Sequence, residues 1–276
     1  MTNFRFNSIT PHPLLCAYVA KLWVFESTGR LPAGERKLIV PNANLKLTLT
    51  YRNGIAARVG NNPFLQRENE LTLTGLIDTP VTLDPQEDAD TGTIIVEFNP
   101  LGAYRLFKIS LDEVRNQIVD MTALFGNTVK KIQSQLTDAA TPELKLQLLQ
   151  NFLLKQLEGA TPDPIFDYCV DRISSSKGLI PVATLEKATG YTSRWLQKKF
   201  AENLGTSPKN LAEIVRFKQF YQAYSSGAPA NQLKQLVFEY YYDQSHFLRA
   251  FRRFTGTTPT ELQNSVNELS IRNFAG

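Results

Sequence analysis

Two segments in the C-terminal half of the chain repeat one pattern at a constant spacing. FAENLGTSPKNL begins at residue 200 and FRRFTGTTPTEL begins at residue 251. Five identities recur 51 residues apart, namely Phe200/Phe251, Gly205/Gly256, Thr206/Thr257, Pro208/Pro259 and Leu211/Leu262. In each copy the glycine fits the left-handed end of one helix, and Ser207 or Thr258, followed by proline, fits the start of the next. In the second copy Glu261 also has capping-box spacing from Thr258. The repeat predicts that the chain builds the same helical corner twice.

The segment before the first corner predicts a helix-turn-helix unit at about 182–204. VATLEKA (182–188) and SRWLQKKFAENL (193–204) have apolar residues at helical spacing, and Gly190-Tyr191-Thr192 separates them. The second helix keeps four polar or basic side chains outside the small core, namely Ser193, Arg194, Gln197 and Lys198. Such a helix can lie in the DNA major groove, where arginine and glutamine bond to base edges. An αα-hairpin for protein contact is the alternative for one such unit.

The segment before the second corner predicts a second unit at about 232–255. LKQLVFE (233–239) and QSHFLRAFRRF (244–254) flank three consecutive tyrosines, and Phe247 and Phe251 are spaced to face inward. The polar side chains expected to face DNA are Gln244, Ser245 and His246 at the leading end of the helix, with Arg249, Arg252 and Arg253 within reach of phosphates.

DQSHFLRAFRRFTGTTPTEL resembles the C-terminal signature of the AraC/XylS family of bacterial transcription activators. The matched positions are Asp243, Ser245, Phe247, Arg249, Phe251, Arg252, Gly256, Thr258 and Pro259. The first copy and the helical segment 207–224 fit the family as well, so the resemblance covers about residues 165–263. It implies an all-α domain in which a long helix joins two helix-turn-helix units, and the two recognition helices enter successive major grooves.

The second unit departs from the family in its turn. The family has a glycine there, whereas this chain has Tyr240-Tyr241-Tyr242. Because a tyrosine at positive φ would be strained by about 1–3 kcal/mol, we expect a rearranged turn that presents the recognition helix differently. The first unit departs too, with Glu186 at a position where the family has alanine and Lys198 where it usually has arginine.

The first hundred residues have the period-2 alternation of strands. In LKLTLTY (45–51) leucines alternate with polar residues, and segments 17–27, 70–77 and 93–98 are similar. They predict a β-rich, barrel or cupin-like domain, followed by flanking helices that include 127–136 and 142–158. CAYVAKLWVFES and VEFNPLGAYRLF more weakly resemble a sensor-type domain of such regulators. Four aromatic residues could line an apolar ligand pocket or pack in the core, namely Trp23, Phe25, Tyr51 and Phe98.

The predicted architecture is α+β in two domains. Residues 1–160 form the β-rich effector or dimerisation domain, and residues 161–276 form the DNA-binding domain, with GATPDP (159–164) as the linker. Residues 1–160 contain 16 basic and 16 acidic residues, whereas the stretch 172–253 contains 13 basic and 5 acidic ones. This concentrated positive charge favours a nucleic-acid partner, although a solvated basic face would have the same composition.

Composition and motifs argue against an enzyme, a metal site and a cofactor. The two histidines, His12 and His246, fall in different domains, and no phosphate-binding glycine loop is present. Cys16 and Cys169 are expected to be small buried hydrophobes. Without a signal peptide or a long apolar run, the expected location is the cytoplasm, with no membrane association.

The expected function is that of a sequence-specific DNA-binding transcriptional regulator, an activator by resemblance, controlled by a small molecule or by dimerisation through the N-terminal domain. The alternative is a protein-interaction or ligand-sensing module whose second helix-turn-helix has lost specific DNA binding. Double-stranded DNA is the expected partner. Further candidates are a small-molecule effector, RNA polymerase, and a second copy of the chain bound through helices 127–136 and 142–158, which could equally pack on their own domain.

Overall fold

Ten strands lie in the described part of the N-terminal domain. The computed structural model describes residues 3–28, 37–84 and 90–263. In chain order its strands are β1 (Asn3–Ile9), β2 (Val19–Thr28), β3 (Lys37–Ile39), β4 (Leu45–Arg52), β5 (Ile55–Val59), β6 (Asn62–Gln66), β7 (Leu71–Thr74), β8 (Val81–Asp84), β9 (Thr91–Phe98) and β10 (Ile118–Asp120). The four segments predicted as strands correspond to β2, β4, β7 and β9.

The strands form two antiparallel sheets. One has the order β1-β2-β9-β4-β7-β10, and the other has the order β3-β8-β5-β6. Among the described strands the two sheets are not closed into a barrel, so the domain is an open, cupin-like sandwich. The prediction of two domains, one β-rich and one all-α, is confirmed, whereas closure into a barrel is not seen in the described part of the chain.

Alternation along β4 gives each face of the first sheet a different environment. Leu45, Leu47 and Leu49 are fully buried in a core shared with the flanking helices. Lys46 and Thr48 point the other way and line a cavity between the sheets. The polar half of the pattern therefore faces the interior of the sandwich.

Four α-helices lie between β9 and the C-terminal domain. They are α1 (Gly102–Leu106), α2 (Met121–Phe125), α3 (Asn127–Asp138) and α4 (Pro142–Leu157). A short 3₁₀ helix, Leu111–Val114, lies between α1 and β10. α4 begins as predicted, because the hydroxyl of Thr141 accepts a hydrogen bond from Leu144 N at 3.2 Å and proline occupies the first turn.

The C-terminal domain is entirely helical over its described residues. Its helices are α5 (Pro164–Ser175), α6 (Val182–Thr189), α7 (Ser193–Leu204), α8 (Pro208–Ser225), α9 (Ala230–Tyr240), α10 (Gln244–Thr255) and α11 (Pro259–Gln263). The pairs α6–α7 and α9–α10 are the two predicted helix-turn-helix units, and α8 is the predicted long helix between them.

The repeated segment forms the same corner twice. Gly205 ends α7 at φ +74° and Gly256 ends α10 at φ +76°, the left-handed conformation that favours glycine. Ser207 then caps α8 by accepting from Asn210 N at 3.1 Å. At the second corner Glu261 accepts from Thr258 N and the Thr258 hydroxyl, both at 2.8 Å, which confirms the capping box.

The turn of the second unit is rearranged, as predicted. In the first unit Gly190 ends α6 at φ +75°, and Thr192 caps α7. Tyr241 occupies the position 51 residues later, but its backbone is extended, with φ −129° and ψ 144°. Its ring is buried against Phe247 with the ring centroids 5.2 Å apart. At this position the second unit therefore has a buried aromatic ring on an extended backbone, whereas the first unit has a glycine in the left-handed conformation.

Aromatic residues hold α10 on α8. Phe251 is fully buried, and its ring lies 5.8 Å from Phe217, 6.2 Å from Phe220 and 5.7 Å from Phe247, centroid to centroid. Such edge-on pairs add to the stabilisation from buried apolar area. The second unit therefore keeps a well-packed core despite its altered turn.

Both corners of the repeat contact the N-terminal domain. A Cβ atom on Gly205 would lie 2.6 Å from the carbonyl oxygen of Leu111, and one on Gly256 would lie 3.2 Å from Pro80 Cγ. Glycine at Gly205 therefore serves two purposes, the positive φ and the close approach of the other domain. The sequence predicted only the first.

Ion pairs on α5 add a second connection between the domains. Asp163 caps α5 and also accepts from Lys199 Nζ of α7 at 2.9 Å. Burial alone would raise the pKa of Asp163, but its hydrogen bonds and the Lys199 charge outweigh burial and lower it. Asp167, one helical turn further, pairs with Arg105 and Tyr104 of α1. The first unit is thereby tied to the N-terminal domain through α5.

Two expectations from composition have separate outcomes. Cys169 is buried, whereas Cys16 is exposed, so the expectation for Cys16 was wrong. Cys16 lies in the connection between the 3₁₀ helix Pro13–Leu15 and β2, which does not enter the core.

Within the described ranges, no helix is both long and apolar enough to cross a lipid bilayer.

Candidate nucleic-acid interface

The first recognition helix presents the predicted side chains on its outer face. Arg194, Gln197 and Lys198 are exposed, and Ser193 is half-buried at the start of the helix. The backbone of Ser193 donates to the carboxylate of Glu186 at 2.5 Å, which ties the turn to α6. Lys198 lies 3.8 Å from Glu202 one turn later, an exposed pair that holds it only weakly. These side chains are free of core contacts and can meet a partner.

The second recognition helix does the same at its leading end. Gln244, Ser245, Arg249 and Arg252 are exposed, and His246 is half-buried beside the ring of Tyr241. Asp243 caps the helix by accepting from His246 N at 2.6 Å. Apart from Arg253, the side chains predicted to face DNA therefore lie at least partly on the surface, four on the first unit and five on the second. Whether they contact bases or phosphates stays a prediction.

Arg253 does not lie free for phosphate contact, which corrects the expectation from sequence. Its guanidinium donates to Asp78 at 2.5 Å, to the Asn210 side-chain oxygen at 2.6 Å and to Glu213 at 3.1 Å. Asp78 belongs to the N-terminal domain, in the segment between β7 and β8. One arginine of the second recognition helix thus makes an intramolecular contact between domains.

The long helix sets the separation between the two units. α8 has 18 residues, so its length is about 27 Å at ~1.5 Å per residue. Successive major grooves on one face of B-DNA are ~34 Å apart. The recognition helices at the two ends of α8 add their own widths to its length. The sum is comparable to the spacing of neighbouring major grooves, so one recognition helix could enter each groove.

A cavity of ≈ 140 Å³ lies between the two sheets of the N-terminal domain. Its wall is mainly apolar and includes Trp23 and Phe25, two of the four aromatic residues singled out in the sequence. Of the other two, Phe98 is fully buried in the core and Tyr51 donates a hydrogen bond to Glu26 at 2.9 Å. The pocket interpretation therefore fits Trp23 and Phe25, and the core interpretation fits Phe98.

One end of the cavity is polar. Asn42, Asn44 and Lys46 line it, and both asparagine side chains donate to the same oxygen of Glu97. Glu97 is fully buried, and register places it between Lys21 of β2 and Lys46 of β4. Its Oε2 atom, like the indole nitrogen of Trp23, has no hydrogen-bond partner among the described residues. Sequence analysis missed this cluster, because Asn42 and Asn44 precede a strand whereas Glu97 ends another.

Known families match both parts of the chain. Residues 185–265 match a family described as a helix-turn-helix domain, and residues 7–120 match one described as a domain of unknown function, DUF6597. No protein with a curated description matches this sequence. Among the described residues, no group of three or more histidine, cysteine or acidic side chains is arranged to hold a metal.

Solved structures with a similar arrangement include ToxT from Vibrio cholerae and the AraC-like transcriptional activator CuxR. ToxT is 14% identical, with 95% of this chain and 98% of that chain covered and a TM-score of 0.46. CuxR is 12% identical, with coverage of 85% and 91% and a TM-score of 0.28.

The fold and the family match define the class of the C-terminal domain. Two helix-turn-helix units on a common long helix, within residues that match a helix-turn-helix family, make it a helix-turn-helix domain of the AraC type. The resemblance found in the sequence signature is confirmed.

Proposed function

We propose that the chain is a sequence-specific transcriptional regulator that places α7 and α10 in successive major grooves of double-stranded DNA. The observation that carries this proposal is the duplicated unit, with an exposed polar face on each recognition helix and α8 as the connection between them. The excess of basic residues in the same stretch supports it, because cations on the surface attract phosphates. An enzymatic activity has no comparable support. We place the boundary between the domains near residue 160, in the segment between α4 and α5.

Side chains of the first recognition helix are expected to determine sequence preference. For Arg194→Ala or Gln197→Ala, affinity for a preferred duplex should fall by about 1–3 kcal/mol while affinity for a scrambled duplex changes little. Arg249→Ala should weaken binding to both duplexes equally. It should also reduce the slope of log affinity against log salt concentration by about one. The measurement is fluorescence polarisation at several KCl concentrations, on a duplex selected by this protein from a random library.

Lys130→Ala is the matched control for these variants. Lys130 is an exposed cation on α3 of the N-terminal domain, so its loss changes net charge by the same amount without altering a recognition helix. Equal losses for Arg194→Ala and Lys130→Ala would contradict a base-reading role for Arg194. Failure to select any duplex, even at low salt, would contradict the proposal as a whole.

A second candidate function is a protein-interaction module. Phe238 of α9 and Tyr242 of the rearranged turn are 83% and 95% exposed, and both lie on the second unit. Large exposed apolar side chains favour contact with another protein. If no duplex is selected while Phe238→Ala abolishes capture of a partner such as RNA polymerase or a second copy of the chain, this candidate is preferred.

We further propose that the cavity binds a compact, mostly apolar molecule that regulates DNA binding. A cavity of about this volume accepts a single aromatic ring. The indole nitrogen of Trp23, which lines the cavity and has no hydrogen-bond partner among the described residues, calls for an acceptor, and a hydroxyl or amide group supplies one. Long-chain and purely hydrocarbon molecules fit less well.

Benzyl alcohol is therefore expected to stabilise the protein more than toluene or benzoate. Thermal unfolding at increasing concentration of each compound measures this, because a ligand of the native state raises the midpoint. Ala57→Leu, which adds bulk to the cavity wall, should remove the response. Equal responses to benzyl alcohol and toluene would contradict the role of the polar end, and a stronger response to benzoate would indicate that the lysines select an anion.

A further inference from the structure

The carboxylate of Asp78 is surrounded by donors from both domains. Its side chain is 3% exposed. From the N-terminal domain it accepts from Arg115 at 2.8 Å and Asn116 at 2.6 Å, and from the C-terminal domain it accepts from Asn210 at 2.9 Å and Arg253 at 2.5 Å. We call these five residues the Asp78 cluster. A buried carboxylate with two guanidinium partners and two amides is well compensated, so removal of its charge disrupts the whole group.

The Asp78 cluster contacts the DNA-binding domain at the two corners where the recognition helices end. Asn210 lies in the first turn of α8, directly after the first corner, and its side chain also donates to Thr206 at 2.7 Å. Arg253 lies in the last turn of α10, directly before the second corner. The contacts of Gly205 with Leu111 and of Gly256 with Pro80 flank the cluster. The repeated segment is therefore the surface on which the DNA-binding domain docks onto the N-terminal domain.

The segment that carries Asp78 also borders the cavity between the two sheets. Ile77 and Val81 line the cavity, whereas Asp78 and Pro80, between them, contact the DNA-binding domain. Ile118 also lines the cavity, two residues after Asn116 of the cluster. A displacement of the cavity wall at Ile77 would therefore move the backbone that carries Asp78.

We infer that Asp78 is a positioning residue, which fixes the second helix-turn-helix unit on the N-terminal domain and connects the state of the cavity wall to the orientation of that unit. The leading end of α10, with Gln244 and Ser245, lies at the opposite end of the helix from Arg253, so the cluster orients this helix without covering these two residues. The consequence for transcription rests on the proposed DNA-binding function. The positioning itself does not.

The test measures the distance between the domains in the full chain without DNA. Spin labels on cysteines introduced at Lys130 of α3 and Lys234 of α9, with Cys16→Ser to remove the exposed thiol, report this distance by pulsed electron resonance. Cys169 is buried and burial raises the pKa of its thiol to about 11, so it stays unlabelled. The native cluster should give one narrow distance distribution.

Asp78→Asn should broaden and shift this distribution, because it removes the charge that holds Arg115 and Arg253 without changing side-chain shape. Glu213→Gln is the matched control, since Glu213 pairs with the same arginine at 3.1 Å but belongs to the DNA-binding domain itself. It should leave the distribution narrow. If Asp78→Asn fails to fold, Arg253→Gln tests the same contact from a half-exposed side chain.

The connection to the cavity has its own pair of variants. Ile77→Ala and Ile95→Ala remove the same atoms from the cavity wall, but only Ile77 adjoins Asp78 in the chain. Ile77→Ala should broaden the distribution, whereas Ile95→Ala should not. An unchanged distribution in Asp78→Asn and Arg253→Gln, or equal effects of the two isoleucine variants, would overturn the inference. If these distance changes are observed but the protein does not bind DNA, the proposed function is contradicted and the positioning role of Asp78 is not.

Discussion

Phe251→Ala should destabilise the C-terminal domain by about 3–5 kcal/mol, the usual cost when a fully buried phenylalanine is truncated. The ring is 0% exposed and contacts Phe217, Phe220 and Phe247, so its loss leaves a cavity between α8 and α10. Because no small movement of one helix can fill this space, most of the cost should remain. Urea unfolding, followed by tryptophan fluorescence and by circular dichroism, gives the free energy of unfolding.

Phe238→Ala is the matched control for this prediction. It removes the same side chain from the same unit, but Phe238 is 83% exposed, so the expected change is within about 0.5 kcal/mol. Fluorescence and circular dichroism together also show whether the two domains unfold in one transition. Only in that case does a single free energy of unfolding describe the chain. Similar losses in the two variants would contradict the packing of the second unit described above.

Gly205→Ala should destabilise the protein by about 2–4 kcal/mol, clearly more than Gly190→Ala, for which about 1 kcal/mol is expected. Both glycines have nearly the same positive φ, +74° and +75°, so the backbone strain of an added side chain is the same. A methyl group on Gly190 meets nothing within 4 Å, whereas one on Gly205 would overlap the carbonyl oxygen of Leu111. The difference between the two variants therefore measures the contact between the domains.

Thermal unfolding of the two glycine variants, side by side, checks this expectation. The inter-domain distance of the spin-labelled protein should also change in Gly205→Ala and stay the same in Gly190→Ala. Equal destabilisation by the two substitutions would show that the first corner does not dock on the N-terminal domain.

Local patterns predicted the helical domain well because its determinants lie close together in sequence. The glycine, the capping residue and the proline of each corner are neighbours, and their conformations follow from steric and hydrogen-bonding preferences of a few residues. The offset of 51 residues then located both recognition helices. The missing glycine of the second turn also predicted its rearrangement correctly, since Tyr241 adopts an extended backbone.

Contacts between distant segments could not be predicted in this way. Asp78 follows a strand-like stretch with no recognisable motif, and its partners at residues 115, 116, 210 and 253 come from separate elements. Arg253 looked equivalent to its neighbours Arg249 and Arg252, because helical periodicity does not tell whether an exposed face meets solvent, DNA or another domain. Likewise, the period-2 pattern of β4 does not tell what its polar face meets, and in the structure this face lines the cavity.

If one chain uses both helix-turn-helix units on DNA, hydroxyl-radical footprinting of the selected duplex should show it directly. We expect two protected segments on one face, about 10 base pairs apart from centre to centre. Arg249→Ala should weaken protection of the segment bound by the second unit first. A single protected segment, unchanged by Arg249→Ala, would show that only the first unit binds and would contradict the use of both units.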